Sequence, residues 1–153
     1  MKVKKAFIML AAAGLLMTAC QTQSHREAQA MLDSARMACD NQRYQEALNT
    51  IERLRSQYPD EIEVRKEALR LFQDASLKMA QADLAQTDSL LQAANAQYEA
   101  ANRRATANRQ ALRATEAELH HVNELRKVRD SLQVRFDTQC AKIKYIHKKQ
   151  KEG

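Results

Sequence analysis

The sequence predicts an all-α fold in which a short helical hairpin precedes long helices that form a coiled-coil hairpin or an extended arm. The first observation is composition: the chain has two Gly, one Pro and no Trp, and the only Gly after residue 20 is Gly153. The second is the abundance of Ala, Gln, Arg, Leu and Glu, which are good helix formers. The third is apolar residues that recur at spacings of three and four. Sheets need turn residues that this sequence lacks.

The first twenty residues read as a secretory signal: three lysines among residues 2–5, an apolar run over residues 6–16, then Met17-Thr18-Ala19-Cys20. The last four resemble the lipobox of bacterial lipoproteins, with Met17 in place of the more usual Leu. The resemblance implies a signal peptide over residues 1–19 and a lipidated Cys20 that holds the chain on a membrane through several acyl chains. No acidic run or adjacent Asp follows Cys20, so the resemblance implies an outer membrane, facing the periplasm. An ordinary cleaved signal with a chance Cys is the alternative.

Residues 20–60 are predicted to form the helical hairpin. Ser24 and Glu27 have the spacing of a capping box, so we expect a helix over residues 25–39 with an apolar face of Ala28, Met31, Leu32, Ala35 and Ala38. A polar break at residues 40–42 ends it. A second helix should cover residues 44–57 and stop before Pro59, which lacks an N–H and disfavours helix in the residue before it.

These two helices resemble a single tetratricopeptide repeat, with small residues where its helices cross and an aromatic opening its second helix. The matching positions are Ala35, Ala38, Tyr44, Ala47, Ile51, Leu54 and Pro59, whereas Met31 and Ser34 depart from the pattern. Small residues at a crossing let two helices approach closely. The resemblance implies a surface that must pack on something else, because one repeat cannot bury its own face. An ordinary α-hairpin is the alternative.

Residues 61–148 are predicted to be a long helical, coiled-coil region. Asp60 and Glu63 indicate a helix start at Asp60, and its apolar stripe is Ile62, Leu69, Phe72, Ala75, Met79, Ala82, Thr87, Leu90 and Leu91. Residues 93–117 are rich in Ala, so this stretch either packs closely on a partner or stands in solvent. Residues 102–108 are the least amphipathic window, where we expect a turn, with a continuous rod as the alternative.

A second stripe begins at Leu112 and repeats at close to 3.5 residues, the period of a coiled coil. Its members are Leu119, Val122, Leu125, Val128, Leu132, Phe136, Cys140, Ile143 and Ile146. Two arrangements bury it: an antiparallel hairpin of residues 61–101 against 110–148, or a homo-oligomer formed through the stripe over residues 112–146. A long amphipathic helix must bury its apolar stripe, and we expect the antiparallel hairpin.

The sequence carries no catalytic, cofactor-binding or metal-binding pattern. Glu118 and His121 are spaced as in a carboxylate-bridged metal site, and His120 lies beside them. Such sites need this pair twice, and the sequence has it once. No phosphate-binding glycine loop and no nucleophile motif occur. Cys39 and Cys140 either form a disulfide or are two separate small residues buried in helices.

The last twelve residues, 142–153, form a basic tail with five Lys and one Glu, whereas the preceding region after Cys20 is close to neutral. A nucleic-acid partner would need a basic face on the body of the domain, so none is expected. The sequence favours a non-enzymatic, lipid-anchored envelope scaffold or adaptor with an unidentified protein partner. A periplasmic chaperone or outer-membrane assembly accessory, and a binder of cell wall or anionic lipid through the tail, are the alternatives.

Overall fold

The computed structural model describes residues 23–152, and all regular structure in this range is α-helical. Helix α1 covers residues 23–40, α2 is Tyr44–Gln57, α3 is Ile62–Gln110 and α4 is Glu116–Glu152. The predicted all-α class with long C-terminal helices is therefore confirmed. The chain divides into two compact units between Ser76 and Leu77, inside α3.

The end of α1 lies at the predicted polar break. The Arg43 N–H donates to the Ala38 carbonyl at 2.8 Å and the Gln42 N–H donates to the Cys39 carbonyl at 2.9 Å, the pair of bonds that closes a Schellman motif. Gln42 takes the left-handed position with φ 60°. The predicted start was wrong: Ser24 lies inside α1 rather than at its N-cap, because residue 23 is already helical.

Helix α2 has the predicted bounds, since Tyr58-Pro59 ends it. It packs on α1 through residues with no exposed surface, and the first turns of α3 complete the core as a third helix. The core consists of Ala28, Leu32, Ala35, Ile51, Leu54, Val64 and Ala68, with Met31, Tyr58, Leu71 and Phe72 partly buried against it. Each fully buried Leu or Ile contributes about 1.5–3 kcal/mol to stability. The first unit is thus a three-helix core.

Two residues predicted to face this core point outward. Ile62 is 61% and Leu69 is 46% exposed, whereas Val64 and Ala68 are buried. The prediction followed the largest side chains, but the inward face carries a small residue, Ala68. The predicted N-cap was also wrong by one residue, because α3 begins at Ile62 and the residue before it is Glu61.

In the second unit, α3 and α4 form the predicted antiparallel hairpin. Their contact, which we call the seam, consists of a row of inward residues with heptad spacing on each helix. The inward residues of α3 are buried or half-buried and mostly small: Ala80, Leu84, Thr87, Leu91, Ala94, Tyr98, Ala101, Ala105 and Asn108. Those of α4 are mostly large: Glu118, Val122, Leu125, Arg129, Leu132, Phe136, Gln139, Ile143 and Ile146. Alternating spacings of three and four keep each seam on one face. The alanine-rich stretch therefore packs against a partner helix.

Two positions of the predicted second stripe were wrong, and the first is Leu112, which is 95% exposed and lies in the turn before α4. Val128 is 53% exposed, and the inward position belongs to Arg129, whose guanidinium lies 4.2 Å from the centre of the Tyr98 ring on α3. The long aliphatic stem of Arg covers apolar surface while its charge reaches an aromatic face. The heptad spacing thus determines that Arg129 faces inward, although the neighbouring Val128 is the apolar residue.

The turn of this hairpin lies at residues 111–115, not at 102–108, which are helical. Helix α3 ends in a second Schellman motif, in which the Arg113 N–H donates to the Asn108 carbonyl at 2.7 Å and Leu112 has φ 56°. Helix α4 begins with a capping box: the Glu118 N–H donates to Thr115 Oγ1 at 3.2 Å, and the Thr115 N–H donates to Glu118 Oε2 at 3.3 Å.

Candidate functional site

Two helices cannot cover both sides of their own seam, and one side of the α3–α4 hairpin is an open apolar groove. We call it the hairpin groove; on α3 it is lined by Leu90, Ala93, Ala94, Gln97, Ala100, Ala101 and Arg104, and on α4 by Ala117, His121, Leu125, Lys127, Val128 and Leu132. It comprises two recesses of about 650 and 610 Å³ that share Gln97. The groove is therefore continuous along the hairpin.

Two ion pairs join α3 to α4, one near each end of the hairpin groove. Arg104 on α3 lies 3.4 Å from Glu118 on α4, and Asp83 on α3 pairs with Arg135 on α4. The sign of charge on each helix is thus reversed from one end to the other. Glu118 also accepts a hydrogen bond of 2.8 Å from the Asn108 amide, which fixes its carboxylate beside the turn.

The opposite side of the same seam is polar and narrower. It holds a recess of about 200 Å³ lined by Tyr98, Asn102, Ala105, Thr106, Arg109, Leu119, Val122, Asn123 and Arg126. Among its polar residues are two arginines and two asparagines, which water solvates well. The apolar side is therefore the one where a partner would cover exposed apolar surface.

A second candidate surface lies on the first unit, where α2 meets the start of α3. We call it the basic–apolar patch; it consists of Arg55, Ile62, Arg65, Lys66 and Leu69 around a recess of about 210 Å³. Lys66 pairs with Glu63 at 2.7 Å, and Arg65 donates to the Pro59 carbonyl at 2.5 Å. These contacts hold the aliphatic stems beside two exposed large apolar side chains.

Polar contacts join the first described turns of α1 to residues just before α3. His25 Nδ1 lies 2.9 Å from Glu61 Oε2, and the Glu61 side chain is only 14% exposed. This hydrogen bond holds the pKa of the Glu61 carboxyl below its ordinary value, and burial opposes the effect. Nearby, the Tyr58 hydroxyl donates to Glu27 at 3.1 Å. Burial, and next that hydrogen bond, raise the pKa of Tyr58.

The predicted lipidation residue, Cys20, lies outside the described residues. Within residues 23–152, no helix has the length and apolarity needed to cross a bilayer. Cys39 is buried and Cys140 is half-buried, and no disulfide joins them.

The histidine and glutamate residues near the start of α4 do not converge on one point. His120 lies 3.9 Å from Glu124, His121 lines the hairpin groove, and Glu118 pairs with Arg104. In the part of the chain that the structure describes, no three His, Cys, Asp or Glu side chains cluster in a way that could hold a metal ion.

The basic tail is the last part of α4 and is helical through Glu152. Ile146 is buried, whereas Tyr145 is 61% exposed. Lys149 pairs with Glu152 at 2.8 Å, and this contact raises the pKa of the lysine. The tail therefore presents one aromatic ring among lysines on its outer side.

No protein-family profile, curated protein or solved structure matches this chain. The candidate surfaces therefore rest on their own geometry. Sequence reasoning did not locate the hairpin groove, because it placed Val128 and Leu90 inside the apolar stripes. Two features of the sequence could have located it. Small residues recur with heptad spacing along α3, and Thr115 and Glu118 have the spacing of a capping box, which indicates where α4 begins.

Proposed function

We propose that this chain is a non-enzymatic, lipid-anchored protein of the cell envelope that acts as a scaffold or adaptor for another protein. Its anchor is Cys20 in the lipobox-like segment, with the chain facing the periplasm from an outer membrane. The observation that carries the binding role is the basic–apolar patch, an exposed cluster of large apolar and cationic side chains on the three-helix unit.

The composition of the basic–apolar patch indicates the chemistry of the partner. Ile62 and Leu69 leave about half of their surface in water, so covering them releases free energy at about 25 cal/mol per Å². Arg55 and Arg65 flank the same recess, and arginine binds carboxylates through two parallel hydrogen bonds. The patch therefore suits a protein segment with one or two apolar side chains beside acidic residues.

The resemblance to a tetratricopeptide repeat supports the same role. In such arrays each helical pair is covered by the next one. Here the first turns of α3 cover the α1–α2 pair, and the outward face of those turns, with Ile62 and Leu69, is left open. A partner segment would take the place of the next helix.

The anchor is tested by growing bacteria that express the chain with a palmitate analogue and measuring its incorporation. The native chain should be labelled, and a Cys20→Ala variant should lose the label and leave the membrane fraction. Equal labelling of the Cys20→Ala variant would exclude this anchor.

The binding role is tested by affinity capture from the native membrane with the anchor intact. Leu69→Asp should abolish capture of the partner, because it places an acid beside the acidic segment and removes apolar area. Met37→Asp is the matched control: Met37 is 63% exposed in the same unit but outside the patch, so capture should persist. Capture that is unchanged in Leu69→Asp, with both variants folded by circular dichroism, would refute the role of the patch.

The two alternative functions give different results in simple assays. A periplasmic chaperone should suppress aggregation of an unfolded client at near-stoichiometric dose. A surface binder should bind anionic vesicles in a salt-sensitive manner and lose that binding when residues 142–153 are deleted. The scaffold should do neither and should retain one defined partner.

A further inference from the structure

The polar side of the α3–α4 seam carries two arginines that no acidic side chain neutralises. They are Arg109 on α3 and Arg126 on α4, and both line the recess of about 200 Å³ on that side, which we call the polar recess. Neither forms an ion pair or a side-chain hydrogen bond within residues 23–152, and no Asp or Glu lines the recess. Three neighbouring arginines do have acidic partners: Arg103 with Glu99, Arg104 with Glu118 and Arg129 with Asp130.

The polar recess also contains three uncharged side chains that can donate hydrogen bonds: Asn102, Thr106 and Asn123. In the described part of the chain none of the three has a hydrogen-bond partner. Ala105 and Val122 line the same recess and belong to the seam, so its base is apolar and its rim supplies the donors. The recess is therefore suited to a group that accepts several hydrogen bonds and carries negative charge.

Two contacts between the helices hold the polar recess, one at each end. The Asn108 side-chain amide donates to Glu118 Oε1 at 2.8 Å, and the Arg129 guanidinium lies 4.2 Å from the centre of the Tyr98 ring. The backbone around the polar recess is thus ordered before a ligand binds, which lowers the entropic cost of binding.

The antiparallel arrangement of α3 and α4 directs the two unpaired arginines towards each other. In the register set by those contacts, Arg126 is level with about residue 101 of α3, so it lies about 12 Å from Arg109 along the helix axis. Cα–Cβ bonds tilt towards the N-terminus of their own helix. Arg109 therefore leans away from the turn and Arg126 leans towards it, so the two side chains converge on the middle of the polar recess. Extended arginine side chains are long enough for both guanidinium groups to contact one small anion there.

We propose that the polar recess binds a phosphate group. A phosphate ester has three acceptor oxygens and a charge of about −1.5 to −2 near pH 7, which matches two guanidinium groups. Each arginine can donate two parallel hydrogen bonds to it, and the Asn and Thr side chains can donate to the remaining lone pairs. A carboxylate has one charge and two oxygens, so it would leave one arginine unneutralised. The inference goes beyond the scaffold role, because it depends neither on the anchor nor on the basic–apolar patch.

Binding is measured by NMR on the full chain in an uncharged detergent, by following backbone and arginine Nε–H resonances during a titration with inorganic phosphate. Sodium chloride keeps the ionic strength constant, so general screening does not change. Shifts that saturate in the millimolar range should be confined to residues around the polar recess. A second titration, with glycerol 3-phosphate, distinguishes two sources of the group, and both results support the site. Tighter binding than that of inorganic phosphate indicates a phosphate ester, and equal or weaker binding indicates the free ion.

Arg109→Gln and Arg126→Gln should each weaken binding by about tenfold or more, because each removes charged hydrogen bonds and keeps a polar side chain. Arg103→Gln is the matched control: Arg103 is on the same helix as Arg109, its side chain is 73% exposed, and it does not line the recess. It makes the same change in net charge, so its affinity for phosphate should match that of the native chain. All three positions are exposed, and circular dichroism should show the native helix content.

An absence of shifts with phosphate in large excess would overturn the proposal. An equal loss of affinity in Arg103→Gln would also overturn it, because it would indicate general attraction to positive charge, and so would binding that Arg109→Gln and Arg126→Gln leave unchanged. A Cys20→Ala chain should bind phosphate like the native one, so failure of the anchor and failure of the polar recess are separate results.

Discussion

The two units bury their apolar residues to different extents, although both are made of the same few residue types. In the first unit three helices surround Leu32, Ile51 and Leu54, which have no exposed surface. In the second unit two helices share a seam, and on α4 only Ile146 is buried, with 7% of its surface still exposed. Three helices can enclose a core, whereas two leave both sides of their contact open to water. The comparison explains why the larger open groove lies on the second unit.

The largest expected effect is a matched pair of leucine truncations. Leu54→Ala should destabilise the first unit by about 2–5 kcal/mol, as for a fully buried leucine. Leu132→Ala in the half-buried seam of α4 should cost less than half as much, because less surface and a smaller cavity are involved. Residue-level hydrogen exchange measures both. Equal losses of protection would show that the seam is as well covered as the core, for example by a second copy.

A smaller effect of opposite sign is expected at a buried hydroxyl. Thr87 has no exposed surface, and its Oγ1 has no hydrogen-bond partner among the described residues. Thr87→Val keeps the shape and removes the unsatisfied group, so it should stabilise the second unit by about 1 kcal/mol. Thr50 in the first unit is the control, because its Oγ1 accepts from Arg53 at 3.3 Å, and Thr50→Val should give no gain. Urea denaturation of both variants decides between these outcomes.

The next effect concerns the cation inside the seam. Arg129→Leu removes the contact with the Tyr98 ring but adds apolar surface, whereas Arg129→Ala loses both the contact and the aliphatic stem. We therefore expect Arg129→Ala to be the less stable of the two. A double-mutant cycle with Tyr98→Leu should show coupling for the native pair. An absence of coupling would mean that the arginine stem alone stabilises the seam.

The smallest effect is a pH dependence in the first unit. The His25 hydrogen bond lowers the folded-state pKa of Glu61, so the ionised carboxylate stabilises the fold above the ordinary glutamate pKa. This contribution is lost as pH falls through the lowered value, because the proton then binds in both states. The stability difference between the native chain and Glu61→Gln should shrink as pH falls over that window. A difference that is constant from neutral to acidic pH would contradict the assignment.

The sequence predicted those features that depend on local chemistry. Pro59 fixed the end of α2, and the polar residues 40–42 ended α1 as expected. The faces of α1 and α2 were also correct, because their inward residues include large apolar ones. The face of α3 was partly wrong, since four alanines lie in its seam and carry little hydropathy signal. Only the packing against α4 distinguishes an inward alanine from an outward one.

The turn was misplaced for a related reason. Helix α3 continues through residues 102–108 although that window is weakly amphipathic, because Ala105 and Asn108 lie on the seam. The actual stop uses Leu112 in a left-handed conformation, where glycine is the usual signal. The hairpin groove could not be predicted either, since an open side of a seam exists only once the partner helix is placed.

The capped turn at residues 111–115 has a consequence for the order in which the second unit folds. Asn108 and Glu118 are ten residues apart, while Asp83 and Arg135 are 52 apart. Closing the short loop costs less chain entropy. Once the turn has formed, each further pair of seam residues is only a few residues farther apart along the chain than the pair before it. The hairpin should therefore zip from the turn outwards, and its earliest amide protection in a pulse-labelling experiment should lie beside Thr115.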